Sequence, residues 1–240
     1  QLKNYFQTIG TDYPHNVRAK ALSIAQASES GLVYTPAEIT ALSRVAKGNG
    51  LSVHMDGARF ANAVASQKVT PAELSWKAGV DVLCLGATKC GALCAEVVIF
   101  FNKELAKTFT HRRKRGGHLL SKGRVFGAQM VGWLQDDHWL ELANQANIQA
   151  AKLAETINGI DGLQLVWPVE SNELFVVVPK DMANYLRDAG AEFYDWYVDT
   201  LPPNVTLKDD QQFLRLVTSF ATQDSHRQQF CESIRSYFIT

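Results

Sequence analysis

Two residues with complementary chemistry each follow a short apolar run in this sequence. Asp56 comes after the run Leu51–Met55, and Lys89 comes after the run Val80–Leu85 and a small-residue turn. Each run is typical of a buried strand, and ligands of open parallel sheets bind beyond the carboxyl ends of the strands. A lysine amine can form a Schiff base with an aldehyde, and a carboxylate can pair with a pyridinium nitrogen. The pair therefore predicts a site for pyridoxal 5'-phosphate (PLP).

Each residue of this pair also has a simpler interpretation. Asp56 could cap the helix that the residues Ala58–Ala65 predict, because aspartate is a favoured N-cap residue. Lys89 taken alone could be a surface lysine, since lysine is rarely buried. The matching strand contexts of the two residues favour the cofactor site.

Predicted strands and helices alternate along the first part of the chain, which is typical of an α/β domain. The predicted strands there are 21–26, 51–55, 80–85 and 96–101, and the predicted helices are 36–48, 58–66, one opened by Thr70-Pro71, 121–135 and 138–158. Further along, short strands are predicted at 163–166, 174–178 and 213–217, with helices at 181–189 and 224–238. This second pattern favours a small α+β domain.

Charge and hydropathy argue against several classes of partner. The 240-residue chain has 24 Lys+Arg and 24 Asp+Glu, so it has no overall electrostatic preference for nucleic acid or for anionic membranes. No apolar stretch approaches the roughly 18 residues expected of a membrane span. The basic run His111–Arg115 lacks interleaved aromatic residues, and we interpret it as a solvated helix end or a subunit contact.

The four cysteines follow neither a disulfide framework nor a zinc-binding spacing. They are Cys84, Cys90, Cys94 and Cys231. Reduced, mostly buried thiols are the prediction, with no metal site and a cytoplasmic location.

The segments around Asp56 and Lys89 also resemble a known family. His54–Asn62 reads His-Met-Asp-Gly-Ala-Arg-Phe-Ala-Asn, 86–91 reads Gly-Ala-Thr-Lys-Cys-Gly, and Glu96–Phe100 follows. Together they resemble the low-specificity L-threonine aldolases, which belong to the fold-type I PLP enzymes close to the β-eliminating lyases. The resemblance extends over nearly the whole chain. It implies an α/β, PLP-transferase-like fold whose mostly parallel sheet is flanked by helices, with residues 1–140 as the remainder of the large PLP-binding domain and 141–240 as a smaller C-terminal α+β domain.

The resemblance implies roles for the residues that contact the cofactor. Lys89 would hold PLP as a Schiff base and act as a catalytic residue, and Asp56 would keep the pyridine nitrogen protonated. Arg59 would contact the phenolic oxygen of the cofactor or the substrate carboxylate, and Thr88 is expected to contact the cofactor beside Lys89.

Three further residues match positions that handle the substrate in the family. Arg215 would grip the α-carboxylate, for which a planar guanidinium is well suited, and Arg124 matches another active-site arginine. Either arginine could instead be an exposed salt-bridging residue. His15 would take the proton of the β-hydroxyl, because histidine titrates near neutral pH, although a loop histidine bonded to the backbone is the simpler interpretation. His54 shares a strand face with Asp56 and is interpreted as a packed histidine.

The resemblance implies cleavage of L-threonine or L-allo-threonine to glycine and an aldehyde by retro-aldol chemistry, in a homodimer or homotetramer. Another PLP-dependent amino-acid enzyme, such as a β-eliminating lyase or a transaminase, stays an alternative, as does a truncated non-catalytic relative. The phosphate cradle of the cofactor is not evident, and Gly116-Gly117 is the nearest candidate. In the family the cradle precedes the first matched segment, so we expect this sequence to be a fragment of a longer enzyme or a natural truncation.

Overall fold

The computed structural model describes residues 2–8, 15 and 18–239, which belong to two compact units. The first unit contains the residues up to Ser28 and Tyr34–Trp139. The second contains Glu29–Val33 and the residues from Leu140 onwards. Each unit has its own sheet and its own core.

The sheet of the first unit has four strands in the order β1-β2-β3-β4. They are β1 Ala21–Ala25, β2 Ser52–Gly57, β3 Val82–Gly86 and β4 Glu96–Phe100. The first three are parallel, whereas β4 runs antiparallel to β3 and brings Glu96 opposite Gly86. The carboxyl ends of β1, β2 and β3 and the amino end of β4 therefore share one edge of the sheet.

The two faces of this sheet differ in polarity. Apolar side chains at alternate positions of the three parallel strands are buried on one face: Ile24, Val53, Met55, Leu83 and Leu85. The residues between them, which include Ser23, His54, Asp56 and Cys84, lie on the opposite face. The strand period thus separates the core from a row of polar side chains.

The helices of the first unit begin where local capping chemistry favours them. They are α1 Leu2–Thr8, α2 Pro36–Gly48, α3 Phe60–Gln67, α4 Phe109–Arg115 and α5 Arg124–Leu134. At the start of α2 the Thr35 hydroxyl accepts from Glu38 N at 3.2 Å, and the Glu38 carboxylate accepts from Thr35 N at 2.8 Å. This is a capping box with proline at the first helical position, as the sequence predicts.

The prediction of a helix that begins at Thr70-Pro71 was wrong. Thr70 and Glu73 make the same reciprocal bonds as Thr35 and Glu38, at 2.9 and 3.3 Å. The chain nevertheless forms turns and then only the 3-10 segment Trp76–Ala78, which Gly79 ends with a φ of +100°. A capping box satisfies the first N–H groups, but Ser75, with a φ of −132° and a ψ of −103°, leaves the helical region about one turn later.

The second unit is an antiparallel sheet in the order β5-β6-β8-β7. Its strands are β5 Gln164–Leu165, β6 Glu173–Pro179, β7 Tyr194–Asp195 and β8 Gln211–Val217, and its helices are α6 His138–Asn158, α7 Lys180–Asp188 and α8 Asp224–Tyr237. One sheet face, with Leu174, Val176 and Leu214, packs in the core with residues of the three helices. The other face carries the aromatic residues Phe175 and Phe213.

Short elements account for most of the differences from the sequence predictions. The helices α1 and α4 and the two-residue strand β7 were not predicted, whereas α6 has the predicted bounds. Among the described residues, no helix is long and apolar enough to cross a membrane.

Candidate active site

Asp56 and Lys89 lie at the same edge of the first sheet. Asp56 is in β2, opposite Cys84 of β3, and Lys89 is in a 3-10 turn, Thr88–Cys90, that follows β3. Both side chains are exposed. The Asp56 carboxylate accepts from Ala58 N at 3.0 Å, which closes a local turn, and α3 begins later with no side-chain cap. Asp56 is therefore not the N-cap of that helix, and its carboxylate is accessible at the sheet edge.

The turn that carries Lys89 is anchored by the residue after it. Cys90 is buried, its carbonyl accepts from Trp133 Nε1 at 2.7 Å, and its thiol lies 3.6 Å from the Trp139 carbonyl. Burial raises the pKa of Cys90 to about 11, so this thiol stays neutral. The Ala87 amide donates to the Ala95 carbonyl at 3.0 Å and ties the front of the turn to β4. An exposed lysine thus projects from a fixed backbone.

Glu96 is a third charged residue at this edge that the sequence analysis missed. Its carboxylate accepts from the Thr88 hydroxyl at 3.4 Å, and that hydroxyl accepts from Ala95 N at 3.3 Å. Burial raises the pKa of Glu96, the bond from Thr88 lowers it, the Asp56 charge raises it and the Lys89 charge lowers it. Asp56, Lys89 and Glu96 therefore lie close enough for their charges to interact. Thr88 joins this group through its bond to Glu96.

A hydrogen-bonded row of three side chains crosses the sheet beside Asp56. The Ser23 hydroxyl is 2.8 Å from His54 Nδ1, and His54 Nε2 is 3.3 Å from the Cys84 sulfur. Burial raises the pKa of Cys84, and the charges of Asp56 and Glu96 raise it further. A thiol that keeps its proton can donate to Nε2, which leaves Nδ1–H to donate to Ser23. The hydrogen bonds of the row then run from Cys84 through His54 to Ser23.

The other expected residues of the first unit lie in different settings. Arg59 is half-buried immediately before α3, Arg124 is exposed at the first position of α5, and His15 is exposed in a turn. The neighbours of His15, residues 9–14 and 16–17, lie outside the described residues. Gly116-Gly117 follows the carboxyl end of α4, where carbonyls rather than N–H groups are presented, so this turn lacks the polarity of a phosphate cradle.

Arg215 belongs to the second unit, where it forms a buried ion pair. Its Nε donates to Glu173 Oε1 at 2.8 Å, and its Nη2 also donates to that oxygen. The guanidinium carbon lies 4.7 Å from the centroid of the Trp196 ring. The alternative of an exposed salt bridge is wrong for Arg215, since the Glu173 side chain is only 1% exposed and that of Arg215 only 16%. No local sequence pattern signalled Glu173, because it and Arg215 are 42 residues apart.

The donor set at the first sheet edge suits PLP. An accessible carboxylate can pair with a protonated ring nitrogen, and an accessible primary amine can bond to an aldehyde carbon. The interaction of both charges with Glu96 brings the two groups into one neighbourhood. No cluster of three or more potential metal ligands occurs among the residues that the structure describes.

Comparison with known proteins identifies the family. The model of the beta-eliminating lyase family matches residues 2–181. The chain belongs to this family. Members of the family are PLP-dependent, which agrees with the chemistry of Asp56 and Lys89.

Individual relatives agree with this assignment. The low-specificity L-threonine aldolases of Pseudomonas aeruginosa and of a Pseudomonas species are 47% and 45% identical over 180 residues, which are 75% of this chain and 52% of each relative. The chain therefore spans about half the length of these curated relatives. The structure of Leishmania major threonine aldolase is 29% identical, with a TM-score of 0.88 over 99% of this chain and 67% of that one. The predicted family resemblance and the fold-type I α/β fold are confirmed.

Proposed function

We propose that this chain carries the lysine-bearing part of a PLP-dependent lyase that cleaves β-hydroxy-α-amino acids, such as L-threonine and L-allo-threonine, to glycine and an aldehyde. The observation that carries the proposal is the meeting of Asp56 and Lys89 at one sheet edge in a member of the beta-eliminating lyase family. Relatives at 45–47% identity are L-threonine aldolases, which favours this reaction within the family.

The residues of the first unit would hold the cofactor. PLP, when bound, supplies an electron sink for the charge that develops on the substrate Cα. Lys89 would attach the cofactor through its amine, and the Asp56 carboxylate would keep a proton on the ring nitrogen. Thr88 and Arg59 would contact the cofactor from the lysine turn and from the start of α3. The fixed backbone around Cys90 supports this proposal, because a pre-positioned amine needs little reorganisation to react.

Four residues would handle the amino-acid substrate. Arg215, with Arg124 or Arg59, would bind the α-carboxylate and so orient the Cα–Cβ bond for cleavage. His15 would accept the proton of the β-hydroxyl, which must leave for the bond to break. These assignments follow from the family resemblance.

A product assay with the purified chain tests the proposed reaction. With PLP and L-threonine we expect equal amounts of glycine and acetaldehyde, loss of both with Lys89→Ala, and a strong reduction with Asp56→Asn. Lys77→Ala, which removes another exposed lysine, is the matched control and should keep the activity. Ammonia and a keto acid in place of glycine would show β-elimination instead. No reaction in wild type, together with no borohydride-stable PLP adduct at Lys89, would favour a non-catalytic relative.

We also propose a cytoplasmic homodimer or homotetramer without a nucleic-acid or membrane partner. Helix α5 supports self-association, because its apolar residues Val125, Val131 and Leu134 are exposed. Light scattering coupled to size-exclusion chromatography measures the mass directly. A monomer at every concentration would contradict this part of the proposal.

A further inference from the structure

We propose that Glu173 and Trp196 position Arg215 so that a carboxylate can bind only at the outer edge of its guanidinium, which is formed by Nη1 and Nη2. The inference rests on the proposed function, which assigns the α-carboxylate of the substrate to Arg215. It adds two positioning residues and a defined direction of approach.

The N–H donors of Arg215 limit where a carboxylate can bind. A guanidinium has five N–H groups in one plane, and four of them form two edges that can each hold a carboxylate. One edge is formed by Nε with Nη2, and the other by Nη1 with Nη2. Glu173 Oε1 accepts from Nε at 2.8 Å and from Nη2, so it occupies the first edge. Three donors remain: one N–H of Nη1 and one of Nη2 form the outer edge, and the second N–H of Nη1 points back towards Cδ.

Trp196 covers one face of the Arg215 guanidinium. Trp196 follows β7, and its ring centroid lies 4.7 Å from the Arg215 Cζ. This stacking restricts rotation of the guanidinium plane and excludes a ligand from that face. Arg215 also lines a pocket of about 520 Å³ with Tyr194 and Val217, which leaves room for a carboxylate-sized group.

Glu173 itself is held in a fixed position by its surroundings. Glu173 is the first residue of β6, where it lies opposite Val217 of β8, and its side chain is 1% exposed. Gly31 approaches it so closely that a Cβ on Gly31 would lie 3.2 Å from the Glu173 Cβ. Gly31 has a φ of +73°, a conformation that favours glycine. A carboxylate held in this way cannot swing aside for an incoming ligand, so the ligand must use the donors that remain.

Nitrogen-15 NMR of the arginine side chains tests the direction of approach, with sodium acetate as the probe. Arg215→Lys identifies the Arg215 signals by their disappearance. In wild type we expect acetate to shift the Nη signals of Arg215 and to leave its Nε signal in place. An acetate-dependent shift of Nε as large as that of Nη would overturn the proposal, as would an unchanged Arg215 spectrum.

Substitutions of Glu173 separate positioning from charge. Glu173→Gln keeps an acceptor oxygen, so the outer edge should remain the binding edge, whereas Glu173→Ala should expose Nε to acetate. For L-threonine we expect Glu173→Ala to raise KM about tenfold with a smaller change in kcat, as for one lost bond to a charged group, and Glu173→Gln to recover most of this. Equal behaviour of the two variants would contradict a positioning role.

Two further comparisons keep the test decisive. If Glu173→Ala does not fold, Trp196→Leu replaces it, and this variant should bind acetate more weakly while Nε stays unperturbed; unchanged affinity would count against Trp196. Wild type that responds to acetate as expected, but neither forms a PLP adduct at Lys89 nor cleaves L-threonine, would refute the proposed function alone. Wild type that cleaves L-threonine while acetate shifts Nε would refute only the positioning of Arg215.

Discussion

Removal of Arg215 should strongly destabilise the second unit. In Arg215→Met the Glu173 carboxylate, whose side chain is 1% exposed, loses the partner that accounts for two hydrogen bonds to its Oε1. Breaking a buried ion pair from one side typically costs about 3–5 kcal/mol, because the remaining buried charge loses its opposite charge. Since about 1 kcal/mol shifts the Tm of a chain of this size by roughly 2–4 °C, the expected fall in Tm is about 6–20 °C.

Tryptophan fluorescence during thermal and urea unfolding measures this effect, since Trp196 stacks on Arg215 and Trp167 packs against the same aromatic cluster. Arg187→Met is the matched control in the same unit. Its partner Asp195 is 57% exposed and Arg187 itself 33%, so the control should cost at most about 1 kcal/mol. The double variant Glu173→Leu/Arg215→Met should recover much of the loss, because it leaves no unpaired charge. If Arg215→Met costs no more than Arg187→Met, the account of a buried, desolvated pair is refuted.

Three further predictions concern the first unit. The pKa of Glu96 is raised, chiefly by burial, so ionisation of this carboxyl destabilises the folded state. Wild type should therefore lose stability as the pH rises above the ordinary pKa of 4.5 and through the raised pKa. In thermal unfolding scans, Glu96→Gln should remove this loss. An unchanged profile would show that Glu96 carries no such cost. Because burial and then the charge of Asp56 raise the pKa of Cys84, iodoacetamide should label Cys84 more slowly than the exposed Cys94, and Asp56→Asn should speed labelling at Cys84 only, as read by peptide mass spectrometry. Equal acceleration at both cysteines would contradict this. Thr35→Ala should lower the free energy of unfolding by about 1 kcal/mol in urea, because Thr35 caps a 13-residue helix. Thr70→Ala, in the same motif without a helix, should lower it by less. The reverse order would contradict the capping argument.

Local patterns predicted the elements that are stabilised locally. Helix α6 shows its period over 21 residues and was placed at its observed bounds, and α2 carries a capping box and a terminal glycine. Thr70 carries the same capping signal, but no α-helix follows it, because the backbone of Ser75 has a non-helical φ of −132° and ψ of −103°. The two residues of α4 beyond its basic run, and the two residues of β7, are too few to produce a periodic signal.

Local sequence patterns also predicted only part of the candidate site. Asp56 and Lys89 follow apolar runs, so the rule for carboxyl ends of strands placed them at one edge. Glu96 reaches that edge only because β4 is antiparallel to β3. The residues of β4 alone do not indicate the direction of the strand. Glu173 meets Arg215 through the pairing of β6 with β8, in which Phe175 lies opposite Arg215. Such contacts depend on register between distant segments, which a single sequence does not reveal.

The most direct test of the account is to locate the bond between PLP and the chain. The purified protein is mixed with PLP, reduced with borohydride to make any Schiff base permanent, digested, and mapped by mass spectrometry. The account predicts one dominant adduct on the peptide that contains Lys89, with strongly reduced labelling in Asp56→Asn. Labelling spread evenly over the exposed lysines, or the absence of an adduct at Lys89, would contradict it.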